Sequence, residues 1–351
     1  METISNIKPI HTHSHDCGCG GGITTYQAEG YDPTRTTTLR NEFARKVRKR
    51  FQNIRGAIRK AIVEEDVFGL TSNPQTLAVT TPGPRAFDFP RSADKVQGFM
   101  TWLRRQVDRE LLEIVEFNQI GQAGEGAWTN LYVRDAYKRG VIRARYELGK
   151  AGFEVPSIEQ SGGISASMNT PFHVDRLGLL YTRTFNELKG ITDAMDQQIS
   201  RVLAQGIAEG DRGSTLARKL NAVISGNRIG ELGITDTLGR FIPAERRATI
   251  LARTEIIRAH HLATIQEYRN WGVEGVKVKA EWMTAGDNRV CNQCASLQGS
   301  VFTLDKIEGM IPLHPQCRCI ALPFRPGTDK PRRWNELEAV KKGQLPILEN
   351  V

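Results

Sequence analysis

Between Cys291 and Cys319 the chain sets four cysteines in two tight pairs, Cys291-x-x-Cys294 and Cys317-x-Cys319, with His314 just ahead of the second pair. This constrains the fold more than any other stretch. Thiolates on two short turns about twenty residues apart can meet on one cation only if the intervening loop folds back on itself. The spacing predicts a tetrahedral zinc site filled by four of the five donors Cys291, Cys294, His314, Cys317 and Cys319. The first pair supplies two ligands and the second pair one or both of the others. His314 is either the fourth ligand or a neighbour that hydrogen-bonds one. With every position taken by protein the Zn2+ is structural, and it folds a small domain that has little core of its own. Two other readings stand beside this one: reduced structural thiols, and a redox dithiol. The latter more naturally accompanies a βαβ pattern, which is absent here.

Upstream the pattern is helical. From Thr36 to Val67 the residues Leu39, Phe43, Val47, Phe51, Ile54, Ile58 and Ile62 recur every three or four positions. Between them run Arg40, Arg45, Lys46, Arg48, Lys49, Arg50, Arg55, Arg59 and Lys60. Such a helix packs one apolar stripe on the body and shows a cationic surface. That surface either tracks phosphates or is a solvated outer face. No aromatic residues interleave on it, so base stacking is not indicated.

Prolines 74, 82, 84 and 90 make residues 69–92 a loop, with Leu77–Thr80 a candidate short strand. Further helices are expected from Ser92 to about Asn118, with Val96, Phe99, Leu103, Val107, Leu111 and Ile114 on one side and Gly121, Gly124 and Gly126 breaking it. Others run over about Thr129–Leu148, from near Phe172 to Gly210 with a possible kink at Gly190, and over about Ser214–Ile224. Residues 149–170 and 225–242 read as loops. Pro243 opens a helix that stops at Gly272, with Ile250, Thr254, Ile257, His261, Ile265 and Tyr268 on its buried side. His260 and His261 are adjacent and so point apart, which argues against a shared metal. Short strands follow around Val276–Thr284, at Val301–Leu304 and at Ile320–Pro323. The fold class is α+β: mainly α-helical N-terminal and middle regions, then a small, zinc-stabilised α+β C-terminal domain. The expected units are a flexible His/Cys/Gly-rich arm (1–35), the basic helix and Pro-rich linker (36–91), a helical domain (92–242), the Cys-rich domain (243–325) and an extended tail (326–351). In the arm, His11, His13, His15, Asp16, Cys17 and Cys19 either grip a metal or belong to a tail ordered by a partner.

Composition narrows the partners. A net charge of +9 favours a polyanion, most simply nucleic acid, or an acidic protein surface. No apolar run is long enough to cross a membrane, and the N-terminus has no apolar signal region. Six cysteines in a chain of 351 residues suit a reducing cytosol better than a disulfide framework.

Ala252-Arg253-Thr254-Glu255, Trp282, Asp287-Asn288-Arg289-Val290-Cys291 with Cys294, Gly299, and His314-Pro315-Gln316-Cys317-Arg318-Cys319 occur in this order. Together they resemble the phage Mu F-like minor head, or head morphogenesis, proteins. The likeness runs from about Arg240 to Pro323. It implies a component of a tailed-phage virion, at the portal or the capsid interior and in the host cytoplasm during assembly. The implied partners are the portal protein and major capsid or scaffold proteins. DNA contact, by nonspecific phosphate binding through Arg45, Lys46, Arg48, Lys49, Arg50, Arg55, Arg59 and Lys60, fits the charge pattern. A structural protein, not an enzyme, is the expectation. The competing reading is a zinc-dependent phosphodiesterase, nuclease or nucleotide-processing enzyme. It would use Glu255, Asp287 and His314, with Arg253 and Arg289 on phosphate. No phosphate-binding glycine loop, H-E-x-x-H or G-x-S-x-G supports it. Asp287 reads better as a turn residue, and Glu255 as part of an ion-paired helix face.

Overall fold

The structure is a computed structural model that describes residues 32–70, 85–119, 122–226, 242–271 and 278–327. The histidine- and cysteine-bearing arm and the Leu77–Thr80 strand lie outside the described residues, as does nearly all of the 225–242 connection and of the tail beyond Arg325.

The element at the centre is a helix, α7 (Ala244–Trp271), and the other long helices are laid against it. These are α1 (Thr37–Arg59, continued by a π turn over Lys60–Glu64), α2 (Ser92–Leu111), α3 (Asn130–Lys150), α5 (Pro171–Ala208) and α6 (Gly213–Ser225). The expectation of one buried side on α7 is corrected. Ala248, Ala252, Ile256, Ala259 and Ala263 are buried against one core, while Ile257, Ile265 and Tyr268 are buried in another. Alanine along one face lets neighbours come close. Gly140 of α3 crosses there, and a Cβ on it would stand 2.4 Å from the His260 carbonyl oxygen.

The first core joins Phe43, Phe51 and Ile58 of α1 to Phe99 and Leu103 of α2, Tyr137 of α3, Ile199 of α5 and Leu220 of α6. The second lies at the far ends of α3 and α7, where Leu148 and Tyr268 meet Trp282, Ile307 and the four cysteines. It is covered by an antiparallel sheet of order β4-β3-β5, made of β3 (Lys279–Met283), β4 (Val301–Thr303) and β5 (Ile320–Phe324). Ala280 pairs with Phe302 on one side and with Pro323 on the other. Two short helices, α8 (Asn292–Ser296) and α9 (Leu304–Glu308), complete this module. The architecture is therefore mainly α-helical with a small α+β part at the C-terminal end.

The entrance to α1 is fastened by Asp32. Its carboxylate accepts from the backbone N–H groups of Thr34, Thr36 and Thr37 at 2.9–3.1 Å and pairs with Arg40 at 2.9 Å. Burial opposes its ionisation, but Arg40 and the hydrogen bonds prevail and hold it well below the ordinary carboxylate range.

Several expectations change. The helix from Ser92 ends at Leu111, not near Asn118, and β1 (Ile114–Gln119) pairs antiparallel with β2 (Gln122–Ala127). Ile114, expected on the apolar side, is exposed. The β-branched pair Ile114-Val115 suits a strand, and the Trp128 indole donates to the Leu111 carbonyl at 3.0 Å, stopping the helix. Gly124 and Gly126 belong to β2 and do not simply break a helix. The helix expected from near Phe172 is α5, which runs 38 residues through Gly190. The 149–170 loop carries a short helix, α4 (Gly163–Met168).

Candidate metal centre

Two turns deliver the donors. Cys291 caps α8 with an extended backbone, which leaves its thiol at the start of the helix and brings Cys294 round on the same side one turn later. On the opposite strand of the loop, Gln316 adopts a positive φ of 62° and the Cys317 N–H bonds the His314 carbonyl at 3.1 Å. This tight turn puts His314, Cys317 and Cys319 within reach of the first pair. His314 Nε2 stands 3.3 Å from Cys291 Sγ and 3.2 Å from Cys294 Sγ, and Cys294 Sγ is 3.9 Å from Cys317 Sγ. Donors on a tetrahedral zinc with Zn–S near 2.3 Å stand about 3.6–3.8 Å apart. Cys291, Cys294 and His314 form one mutually close group, and Cys294, Cys317 and Cys319 a second that shares Cys294.

The imidazole shows which of its nitrogens is free. Nδ1 lies 2.8 Å from the Pro315 carbonyl oxygen, which can only accept, so Nδ1 carries the proton. Nε2 then turns a lone pair toward the sulfurs, as a ligating histidine does with its second nitrogen tied to a carbonyl. All four cysteines are buried and none is in a disulfide. Left to themselves the sulfurs share protons: the hydrogen bond between Cys294 and Cys317 pushes the Cys294 thiol up and draws Cys317 down. Packed soft donors beside an oriented imidazole suit a cation, and the group can hold a metal ion.

Asp287 locks the two turns together. Arg318, which separates the last two cysteines, reaches across the loop to both of its oxygens, with Nη1 at 2.6 Å from Oδ2. On its own side Asp287 accepts from the Arg289 N–H at 3.1 Å and from the Arg289 guanidinium at 2.9 Å. The expected turn residue is thus also the ion-pair partner of the opposite knuckle. Burial works against its charge, yet the bonds from Arg318 and Arg289 hold its pKa below the usual range.

The module is fastened to α7 at several points. Thr254 Oγ1 accepts from the Gln316 N–H at 3.0 Å, and Arg253 Nη1 donates to Gln316 Oε1 at 3.0 Å. His261 Nε2 donates to the Ile307 carbonyl at 3.0 Å, and the Tyr268 hydroxyl to that of Ala321 at 3.2 Å. Ala252-Arg253-Thr254-Glu255 and His314-Pro315-Gln316-Cys317, far apart in the chain, are thus two halves of one contact.

Residues 197–322 match a family model described as Phage Mu protein F like protein. This part of the chain is similar to phage Mu protein F. The match begins some forty residues before the expected start near Arg240, so it takes in the end of α5 and all of α6 as well as α7 and the cysteine module. No curated protein and no solved structure matches the chain.

Of the residues weighed for catalysis, the two carboxylates Glu255 and Asp287 are ion-paired. Glu255 is buried and ion-paired with Arg258 at 3.2 Å and with Arg183 of α5 at 3.5 Å. Among the described residues, neither group of metal-capable donors includes Glu255 or Asp287. His260 and His261 do point apart, and burial keeps both neutral, with pKa values lowered to about 3 and about 4.

The basic residues of α1 divide into two sets. Arg45, Lys46, Lys49, Arg59 and Lys60 are exposed, and Arg48 and Arg55 are half-buried. Arg50 instead turns into the body: it donates to the Glu110 carbonyl and to Glu113 at 2.6 Å, and lies 4.2 Å over the Trp128 ring. Arg55 approaches Glu245 at 3.9 Å and Lys60 approaches Glu65 at 3.6 Å.

One buried network went unnoticed in the sequence. Tyr137 bonds His173 Nδ1 at 2.8 Å, His173 Nε2 bonds Glu267 at 2.8 Å, and Arg145 pairs with Glu267 at 2.7 Å. The Trp271 indole also donates to Glu267 at 2.9 Å. Burial opposes the Glu267 charge, but the bonds from His173 and Arg145 keep its pKa low. The network ties α3, α5 and α7 together. Its members are scattered singly on apolar faces, so no spacing could have revealed it.

Proposed function

We propose that the chain is a minor head protein of a tailed bacteriophage, acting in head morphogenesis at the portal or the capsid interior. The observation that carries this is the match of residues 197–322 to the phage Mu F-like family, over the stretch in which the cysteine pairs close on one another. The bound ion in this reading is Zn2+, held by four of Cys291, Cys294, His314, Cys317 and Cys319. The donor set of thiolates and one imidazole supports zinc, and it supports a structural role because no water position is needed to fill the shell. The metal-clamped module docks on portal, capsid or scaffold proteins, and the exposed face of α1 meets packaged DNA through phosphates. The protein assembles in the host cytoplasm and ends in the virion. Among the described residues no helix is long and apolar enough to cross a membrane.

We read the protein as non-enzymatic. The capture of Asp287 by Arg318 and Arg289, and of Glu255 by Arg258 and Arg183, supports that reading over the phosphodiesterase. The test is deletion of the reading frame from the phage, with affinity capture of the tagged protein from infected cells. Aberrant or non-infectious heads and co-capture of portal or capsid protein are expected. Normal, infectious heads without the protein would sink the proposal. Nuclease activity that disappears in Glu255→Ala would restore the enzyme.

A further inference from the structure

The F-like region and the basic helix meet at an unusual place. On α1, Asn41, Arg45, Arg48 and Gln52 follow one another at intervals of three and four and share a face. Glu42, Arg45, Lys46, Arg48, Lys49, Gln52 and Tyr132 line an open surface groove there of about 470 Å³. Arg253 of α7 borders the same face, because its Nη2 reaches Asn41 Oδ1 at 3.5 Å. Its other nitrogen, Nη1, holds Gln316 of the cysteine loop.

Bases outnumber acids on this face: Glu42 lies in the groove and Glu245 acts on Arg48 from α7, against Arg45, Lys46, Arg48, Lys49 and Arg253. Asp32 is taken by Arg40, and Asp287 by Arg318. Arg253 bonds only neutral amide oxygens, and its Nε is buried without a partner. Among the described residues no carboxylate pairs with Arg45, Lys46, Arg48, Lys49 or Arg253, and Glu42 is the single acid in the groove. Burial and the nearby Arg48 lower the Arg253 pKa. Guanidinium groups in such a setting suit phosphate oxygens.

The partner follows from what the face lacks. None of the large exposed apolar side chains lies on α1, so there is no apolar centre of the kind on which protein interfaces are built. Tyr132 is stacked on Phe43 with centroids 4.5 Å apart, and so is engaged by the core rather than free to stack on a base. A cationic face without an apolar anchor or free aromatic ring fits the backbone of a duplex.

We propose that Arg45, Arg48 and Lys49 of α1 and Arg253 of α7 form one phosphate-binding face for duplex DNA, and that Gln316 of the cysteine loop positions its α7 edge. This rests on the reading that α1 contacts DNA, and adds to it that the F-like region supplies part of the surface. The metal-held loop thereby sets the geometry of a DNA contact without touching DNA.

The experiment measures affinity of the full chain for a 30-base-pair duplex of arbitrary sequence, at roughly 50–200 mM salt, as the slope of log K against log salt. The variants are Arg45→Gln/Lys49→Gln, Arg253→Gln, Gln316→Ala and, as a charge control, Lys150→Gln. Lys150 is exposed at the end of α3 remote from Tyr132. Each lost phosphate contact reduces the slope by about 0.9. Arg253→Gln should lose about one contact, the double variant about two, and Lys150→Gln none. Gln316→Ala should weaken binding several-fold although no charge changes. If Arg253→Gln or Gln316→Ala does not melt like the parent, Arg48→Gln and Arg253→Lys replace them, with a lost contact expected in the first and a retained slope in the second. A double variant that loses binding while Arg253→Gln and Gln316→Ala match the parent overturns the composite face and leaves the α1 reading standing. A flat salt slope in the parent overturns both, and preferential capture of an acidic protein over DNA overturns the choice of partner.

Discussion

At the scale of single residues the module depends on an ion pair that spans its loop. Asp287 precedes the first cysteine turn and Arg318 sits inside the second, so their contact closes the loop. Replacing Asp287 with Asn leaves the half-buried Arg318 guanidinium without its counter-charge, at a cost of about 1–3 kcal/mol. Urea unfolding should show it at neutral pH. The difference from the parent should shrink in acid, because a carboxyl with a depressed folded pKa stabilises above its unfolded value and loses that contribution as pH falls through the folded one. Cys291→Ser should abolish stoichiometric zinc by elemental analysis and lower the melting temperature by roughly 5–15 °C. Unchanged metal content and melting would remove zinc from the account. The cysteines and histidine that the structure brings together could be named from spacing alone, since a knuckle is a local device. The role of Arg318 could not, since nothing in its neighbourhood marks which carboxylate it will meet.

At the scale of elements, α7 decides the arrangement. Its alanine face admits α3 at Gly140, where a methyl group would meet the His260 carbonyl oxygen and the Ala263 side chain. Gly140→Ala should therefore destabilise by about 1–3 kcal/mol despite the better helix propensity of alanine. A neutral or stabilising result, measured by denaturant midpoint, would mean that the two helices move apart at little cost. The Glu267 network acts at the same scale: Glu267→Gln removes the charge that Arg145 pairs with and should cost about 3–5 kcal/mol. Helix periods in the sequence found α1, α3, α5 and α6 because each buries one stripe. They also placed α7, but gave it one buried side where it has two, and they ran α2 too far. In the second case Ile114 kept the helical spacing by chance, although the β-branched pair that follows Glu113 goes into a hairpin.

At the scale of the whole molecule, two adjacent histidines make the fold sensitive to acid. His260 and His261 are buried and neutral, with folded pKa values of about 3 and about 4 against about 6.5 in an unfolded chain. Below about pH 6.5 the unfolded state binds protons that the folded state refuses, so stability falls with pH until the folded values are reached. The loss is on the order of a few kcal/mol by pH 4. Chemical denaturation between pH 7 and pH 4 should show it, and His261→Gln, which can keep a donor to the Ile307 carbonyl, should reduce it. The sequence by itself determined the local devices: cysteine turns that can close on a cation, a basic amphipathic helix, and the likeness to a phage head family. These are set by residues within a turn or two of one another. Only the tertiary structure decided what long-range contacts decide: Asp287 goes to Arg318, the Ala252–Glu255 turn grips the His314–Cys317 turn, Arg50 leaves the basic face for Trp128, and Arg253 joins it. Each of these depends on two chain segments brought together by burial of apolar surface elsewhere, and such a meeting leaves no mark on the spacing of either segment.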